Sequence, residues 1–370
     1  MQHTRTIRYS LTTAMALAAI VASTAPAALA APATRPATAT AVAGYIWSDD
    51  GAATPDSYYA YNSTGGSVTQ TSPASGEYEI DFGGLGSIAS TSVVQVTTYD
   101  DEFNCDVAGW GPSSGAGTDL LASVSCYTLA GTLATTGDIV FDLVVTHAVS
   151  PPHGVFDYSF VNKDNSSGNL VAYQYNSSRK KNSVKHLSKG HYQVTLAGPS
   201  SKGTTGIVKV SAYGNEPGSC ELEGWTGSAK GELVNVDCYT LHHVAQNREF
   251  IVTYATANSL LGINGQTVAN AFANGSSALY QPKVQYDSHK SARVSVVHYS
   301  TGEYGVLPVG SDGDFDHWGG DVQISAVDSK GRLCVSDGWD QELTPSITVD
   351  CYDAKGDLVD SPFTVEWVVP

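Results

Sequence analysis

The chain is 370 residues long, 15% charged and 42% hydrophobic, with 36 acids against 19 bases and a net charge of −17. That balance belongs to a globular chain, and Gly without a period of three excludes a collagen-like fibre. The acidic excess excludes a sequence-independent nucleic-acid binder, which must neutralise phosphates.

Residues 1–30 read as a secretory signal peptide. Arg5 and Arg8 precede an Ala/Leu/Ile-rich run from Leu11 to Ala22, and Ala28-Leu29-Ala30 supplies the small-x-small cleavage end. The run is shorter than the ~20 residues needed to cross a bilayer, so no membrane span is expected. Residues 31–43, rich in Pro, Ala and Thr, are expected to form a disordered linker. Both methionines, Met1 and Met15, lie in the leader. The mature chain keeps six cysteines, an even number, which in an exported protein predicts disulfides and an extracellular location.

The rest of the chain is three copies of one unit, residues 44–150, 151–258 and 259–370. Cys-x4-Trp occurs at Cys105/Trp110, Cys220/Trp225 and Cys334/Trp339. Each first cysteine is followed by a Val-x-Cys-Tyr phrase holding Cys126, Cys238 or Cys351, at spacings of 21, 18 and 17 residues. Upstream stand Gly76-Glu-Tyr78, Gly190-His-Tyr192 and Gly302-Glu-Tyr304. Between them and the cysteines come Val94-x-Val96, Val208-x-Val210 and Val322-x-Ile324, and each unit closes on Phe141-x-Leu143, Phe250-x-Val252 or Phe363-x-Val365. Tyr59-x-Tyr61-Asn62-Ser63 and Tyr173-x-Tyr175-Asn176-Ser177 also match, with Tyr286-Asp287-Ser288 as the departing third version. Period-two alternation between Gly/Ser/Asn/Asp-rich turns predicts short antiparallel strands. Residues 260–274 come nearest to a helical pattern, and Gly262 and Gly265 weaken it.

The expectation is therefore an all-β chain of three tandem β-sandwich domains of immunoglobulin-like size. The tight cysteine spacing predicts one local disulfide per domain, between neighbouring strands. Trp110, Trp225 and Trp339 are expected to plug against those bridges. The Cys–Trp–Cys spacing differs from that of immunoglobulin domains. The order of motifs resembles exported, actinobacterial-type proteins built from tandem Cys-x4-Trp…Val-x-Cys β repeats with no assigned activity. That resemblance implies export and a β fold, and it carries over no site residue.

Charge is uneven. Residues 44–150 hold acids but no Lys or Arg, residues 259–370 are also acidic, and the middle repeat alone has more bases than acids. Its Arg179, Lys180, Lys181, Lys185 and Lys189 are a candidate site for an anionic glycan or wall polymer, or a dock for an acidic neighbouring domain. Asp312, Asp314, Asp316 and Asp321 are the densest acid cluster and candidate ligands for Ca²⁺, the one cofactor considered, although the EF-hand pattern fails at His317 and Gln323. Trp318 and Tyr280 are candidate sugar-stacking residues. Gly111-Pro-Ser113-Ser-Gly115 formally matches a nucleophile elbow but reads as a turn within a cysteine pair. No catalytic residue is assigned. The expected function is non-catalytic binding of a carbohydrate, an envelope polymer or another exported protein. The alternatives are an inhibitor of an extracellular hydrolase, or a hydrolase with its site in the third repeat.

Overall fold

The computed structural model describes residues 42–48, 53, 55, 59–99, 103–114, 117–135, 139–147, 154–164, 170–198, 206–260, 267–275, 277–289, 293–309, 319–328, 330–340 and 346–369. The expected signal peptide and residues 31–41 of the linker lie outside them. Val42 and Ala43, assigned to the linker from sequence, instead open the first strand, because both pair with the closing strand of the first repeat at His147 and Thr146.

The first module contains β1 (Val42–Trp47), β2 (Ala60–Asn62), β3 (Val68–Ala74), β4 (Glu77–Phe82), a 3₁₀ helix (Gly86–Thr91), β5 (Val93–Tyr99), β6 (Phe103–Pro112), β7 (Leu120–Thr128) and β8 (Val140–His147). The second contains β9 (Val155–Val161), β10 (Val171–Asn176), β11 (Ser183–Ser188), β12 (His191–Ala197), β13 (Ile207–Tyr213), β14 (Ser219–Ser228), β15 (Gly231–Tyr239) and β16 (Glu249–Thr256). The third contains β17 (Thr267–Ala273), β18 (Leu279–Tyr280), β19 (Gln285–Asp287), β20 (Arg293–Ser300), β21 (Glu303–Val309), β22 (Asp321–Ala326), β23 (Leu333–Asp340), β24 (Ser346–Tyr352) and β25 (Phe363–Val369). The segment with the helical pattern thus supplies a strand, β17.

Strand order repeats. One sheet of each module runs β3-β4-β7-β6, β11-β12-β15-β14 or β20-β21-β24-β23, the last with β18 on its edge. The other runs β2-β1-β8-β5, β10-β9-β16-β13 or β19-β17-β25-β22. The two sheets of a module face each other as a sandwich, with Tyr78, Ile80, Val124 and Phe141 in the first core and their counterparts in the others. The predicted disulfides form at directly opposed positions of one hairpin, Cys105 with Cys126, Cys220 with Cys238 and Cys334 with Cys351, with Cα atoms 4.0, 4.1 and 4.1 Å apart. In the loop-entropy account each contributes on the order of 3 kcal/mol.

Two repeated motifs acquire physical reasons. Gly76, Gly190 and Gly302 adopt φ of +74°, +78° and +78°, and a Cβ there would sit 2.9, 2.6 and 2.9 Å from the carbonyl oxygens of Cys126, Cys238 and Cys351. Only glycine makes that turn and allows that approach. In the Asn-Ser phrase, Asn62 Oδ1 and Asn176 Oδ1 accept the amides of Thr64 and Ser178, and Asp287 Oδ1 accepts that of His289. The following Ser63, Ser177 and Ser288 hydroxyls accept the amides of Ala43, Phe156 and Val268 at the first strand of each module.

The burial pattern separates the two sheets. β4 and β12 alternate between buried and half-buried residues, as expected for a sheet with one wet face. β5, β8, β13, β16, β22 and β25 are buried at nearly every position. Their second face is covered by the other modules, so residues Ala39–Pro370 form one compact unit and not three separate sandwiches in a row. The contacts are cyclic. β6 of the first module lies parallel to β13 of the second at Val107 and Tyr213; Leu222 in β14 of the second bridges Val327, just beyond β22 of the third; and β23 of the third lies parallel to β5 of the first at Ser336 and Tyr99. Each module uses the same pair of edges, which closes a pseudo-threefold ring.

Candidate functional site: a sealed polar axis and an exposed basic edge

The three inner sheets meet on their polar alternate positions. In β5, β13 and β22 those are Gln95 and Thr97, Lys209 and Ser211, Gln323 and Ser325, all buried. The hydroxyls work as a set. Ser211 Oγ accepts from Val96 N at 3.3 Å and donates to Val96 O at 3.3 Å; Ser325 Oγ does the same with Val210 N and O at 3.0 and 3.2 Å. Thr97 Oγ1 accepts from Ile324 N at 2.9 Å and donates to Gln323 Oε1 at 3.2 Å. A hydroxyl is both donor and acceptor, so one side chain can satisfy a backbone N–H and C=O that no adjacent strand reaches.

Lys209 breaks the symmetry. Its Nζ donates to Thr97 Oγ1 at 2.9 Å and to Ile324 O. Burial lowers its amine to about 7, opposed by the charges of Asp321 and Asp142. Burial also pushes Asp142 and Asp321 above the ordinary carboxylate range, with Asp321 repelling Asp142 and Lys209 pulling both down. Glu366 is raised to about 8 by burial, although Leu260 N, Ser259 Oγ and Asn270 Nδ2 all donate to it. Towards the disulfide end, Arg248 Nη2 bonds Asp106 Oδ2 at 2.9 Å across the first and second modules, both side chains buried. Burial raises Asp106 to about 7 against the pull of that guanidinium. Glu221 accepts the amides of Gly331 and Arg332 across the second and third, and burial raises it to about 9.

These are strongly perturbed carboxyl and amine groups, a pattern that often marks an active site. Access argues otherwise. The cavity at the axis, which only Lys209 and Asp106 of these groups line, together with Thr97, Ser211, Ser325 and the first cysteine of each bridge, measures about 50 Å³. That admits a few waters, at ~10–15 Å³ of such space each, and no substrate. The axis is a junction.

The tryptophans also belong to the junction, beyond the place beside their own bridges expected from sequence. A β-bulge falls just before each, at Val107/Gly109, Leu222/Gly224 and Ser336/Gly338. The extra residue returns Trp to the same sheet face as its cysteine. From there each reaches the next module. Trp110 meets Phe160 and Tyr213 at 5.8 and 5.5 Å, Trp225 meets Phe272 at 4.7 Å, and Trp339 meets Trp47 and Tyr99 at 5.8 and 5.1 Å.

The remaining candidates separate. Asp312, Asp314, Asp316 and Trp318 lie outside the described residues. Asp321 is the first residue of β22, fully buried and hydrogen-bonded to Gln323 at 3.1 Å, so it faces the axis. No group of three or more His, Cys, Asp or Glu arranged for a metal occurs among the described residues. Tyr280 is half-buried against the third core and its hydroxyl accepts Gly275 N at 2.9 Å, which favours packing. A cavity of about 170 Å³ beside it is lined by His298, Tyr304 and Asp360; His298 Nε2 lies 2.9 Å from Asp360 Oδ1. The second module repeats this arrangement with His186 and Asn247 at 3.0 Å, a recurrence that points to turn-holding.

Arg179, Lys180, Lys181, Lys185 and Lys189 are all exposed, and among the described residues none makes an ion pair. The alternative of docking on an acidic module is therefore not realised among those residues. They follow the edge of the molecule: three in the turn between β10 and β11, one in β11, one in the next turn. The turn is held from beneath by buried Asn176, Asn182 and Asp157. Asn176 Nδ2 donates to Asn182 Oδ1 and to Ala197 O, both at 2.7 Å, and Ser177 N donates to Asp157 Oδ1 at 2.8 Å. Arg179 has φ of +58°, where the first module uses Gly65 at +77°. A side chain in that conformation costs on the order of 1 kcal/mol relative to glycine.

Among the described residues no helix is long and apolar enough to cross a membrane. No protein-family model matches the chain, and neither a curated protein nor a solved structure matches it.

Proposed function

We propose that the chain is exported and acts as a non-catalytic binding protein, recognising a carbohydrate, a cell-envelope polymer or another exported protein. The observation that carries this reading is the division of its charged groups. Those with perturbed chemistry lie in the interior, where the cavity at Lys209 and Asp106 is too small for a substrate, while the cations on an outer edge make no ion pair among the described residues. Three disulfides and a closed ring suit a protein that must keep one shape outside the cell. A ring also sets what multiplicity can do: its edges point in different directions, so the modules present different surfaces of one body and do not act as beads along a flexible tether.

The test is retention of the chain from Ala31 onward on a glycan array and on envelope fractions, with calcium and then with chelator. Retention on one polymer class supports the reading, and loss on chelation would bring in calcium and the acidic residues Asp312, Asp314 and Asp316. Failure on every glycan and envelope fraction, together with turnover of a glycoside or ester substrate, would overturn it in favour of a hydrolase. Capture of a single exported enzyme with inhibition would favour the inhibitor.

A further inference from the structure

We infer that the β10–β11 edge of the second module is a binding site for a linear polyanionic glycan, one bearing carboxylate, sulfate or phosphate groups along its length. This rests on the binding reading above and names its site and ligand class.

Four observations converge. First, Arg179, Lys180, Lys181, Lys185 and Lys189 are exposed and make no ion pair among the described residues, in a chain of net charge −17. Cations here lower the magnitude of the net charge, so solubility does not account for them. Second, Arg179 occupies a left-handed position that the first module fills with Gly65, so a residue type the backbone disfavours stands there and adds charge. A side chain kept against local preference is the kind of outlier from which function is argued. Third, the turn is preorganised by the Asn176–Asn182–Asp157 network, so little ordering remains to be done when a ligand arrives. Fourth, the cations flank one extended strand: Arg179, Lys180 and Lys181 precede β11, Lys185 lies within it and Lys189 follows it. Six residues of β11 cover roughly 20 Å, a track suited to several successive charges of a linear polymer.

The geometry selects the polymer. β11 pairs only with β12, and its other edge leaves backbone N–H and C=O groups for hydroxyls. An acidic peptide adding as a further strand needs a regular ladder, which the bulge at His186/Ser188 opposes. Single-stranded nucleic acid is held largely by stacking on aromatic side chains; no Phe, Tyr or Trp stands within residues 179–189, the His186 ring stacks on Tyr192, and Tyr173 and Tyr175 of β10 stack on Phe160 and Tyr158.

The experiment is affinity co-electrophoresis of the chain from Ala31 with polygalacturonate, dextran sulfate, a poly-phosphorylated glycan, neutral dextran, poly-glutamate and an oligonucleotide. Two variants accompany it: Arg179→Gly, which suits the backbone, and the triple Lys180→Gln/Lys181→Gln/Lys185→Gln, with far-UV circular dichroism reporting the fold. The expected result is retardation by at least one anionic glycan and not by neutral dextran, falling steeply with salt. The triple variant should weaken it tenfold or more at an unchanged spectrum, and Arg179→Gly by a few-fold. Equal binding by the triple variant would overturn the site while leaving the binding reading intact. Equal retardation by poly-glutamate or the oligonucleotide would overturn the ligand class. No retardation by any polyanion would overturn the inference outright, and the neutral-glycan positions of the array would still decide the broader reading. If the triple variant loses its fold, Arg179→Gly alone decides: unchanged affinity overturns the site.

Discussion

Truncating Trp225 tests whether the repeated tryptophan joins modules or only packs within one. Trp225 is 4% exposed and its ring lies 4.7 Å from Phe272 of the third module. A buried tryptophan removes ~200 Å² from water, which at ~25 cal/mol per Å² is about 5 kcal/mol as an upper value. Measured Trp→Ala changes in cores cost ~3–5 kcal/mol. Trp225→Ala should therefore destabilise the protein by about that amount in guanidinium, followed by far-UV circular dichroism because the substitution removes a fluorophore. The module-joining share is isolated by a double-mutant cycle with Phe272→Leu. An aromatic pair adds ~0.5–1.5 kcal/mol beyond area, so a coupling of that size is expected. If Trp225 only braces its own disulfide, the two changes will add to within ~0.3–0.5 kcal/mol, and the junction role assigned to all three tryptophans is wrong.

Other outcomes follow from the axis and the edge. Ser325→Ala leaves Val210 N and O without their partner and should cost ~1–3 kcal/mol, whereas Ser325→Thr, the residue type at Thr97, should be tolerated; thermal unfolding of both separates hydroxyl loss from packing. Glu221 and Glu366 have folded pKa values raised to about 9 and about 8, so each binds its proton more tightly when folded. Their contribution to stability is complete below the unfolded pKa near 4.5 and is lost as pH rises towards those values. Lys209, lowered to about 7, acts in the opposite direction only above about pH 7. Stability should therefore fall between pH 5 and 7, Glu366→Gln should flatten that slope, and a rise over the same interval would contradict the burial assigned to these carboxyls. Arg179→Gly relieves the left-handed backbone and should raise stability by up to ~1 kcal/mol; a loss of stability would show that Arg179 serves the fold.

The sandwich layers were legible because turns and first-face residues obey local rules. Asn-Ser and the paired cysteines each mark a contact within about 25 residues and Gly-x-Tyr one about 50 residues on, and all recur in register. The axis was not legible, and the reason lies in the alternation of the inner strands. Val94-Gln95-Val96-Thr97 has the pattern of a strand with one wet face, and nothing local says that Gln95 and Thr97 face a second protein surface instead of water. A signal was present in the repeat comparison. Thr97, Ser211 and Ser325 keep a hydroxyl at one register position while their neighbours Gln95, Lys209 and Gln323 vary, and a solvent-facing position has no need to retain one. The reach of the tryptophans into the next module was hidden for a related reason: the bulge that sets their direction consists of ordinary residues, Ala108, Glu223 and Asp337, before a glycine. The basic edge was visible in composition, and the structure added that it is unpaired and that Arg179 sits where glycine is favoured.

The central claim is that the three modules close on themselves around one axis. Small-angle X-ray scattering of the chain from Ala31 tests it directly. A compact body of this chain length has a radius of gyration of roughly 20 Å, whereas three ~13 Å modules in a row give roughly 30 Å. The ring predicts the smaller value with a single-peaked distance distribution. A value near the larger one, with a long tail in that distribution, would contradict it.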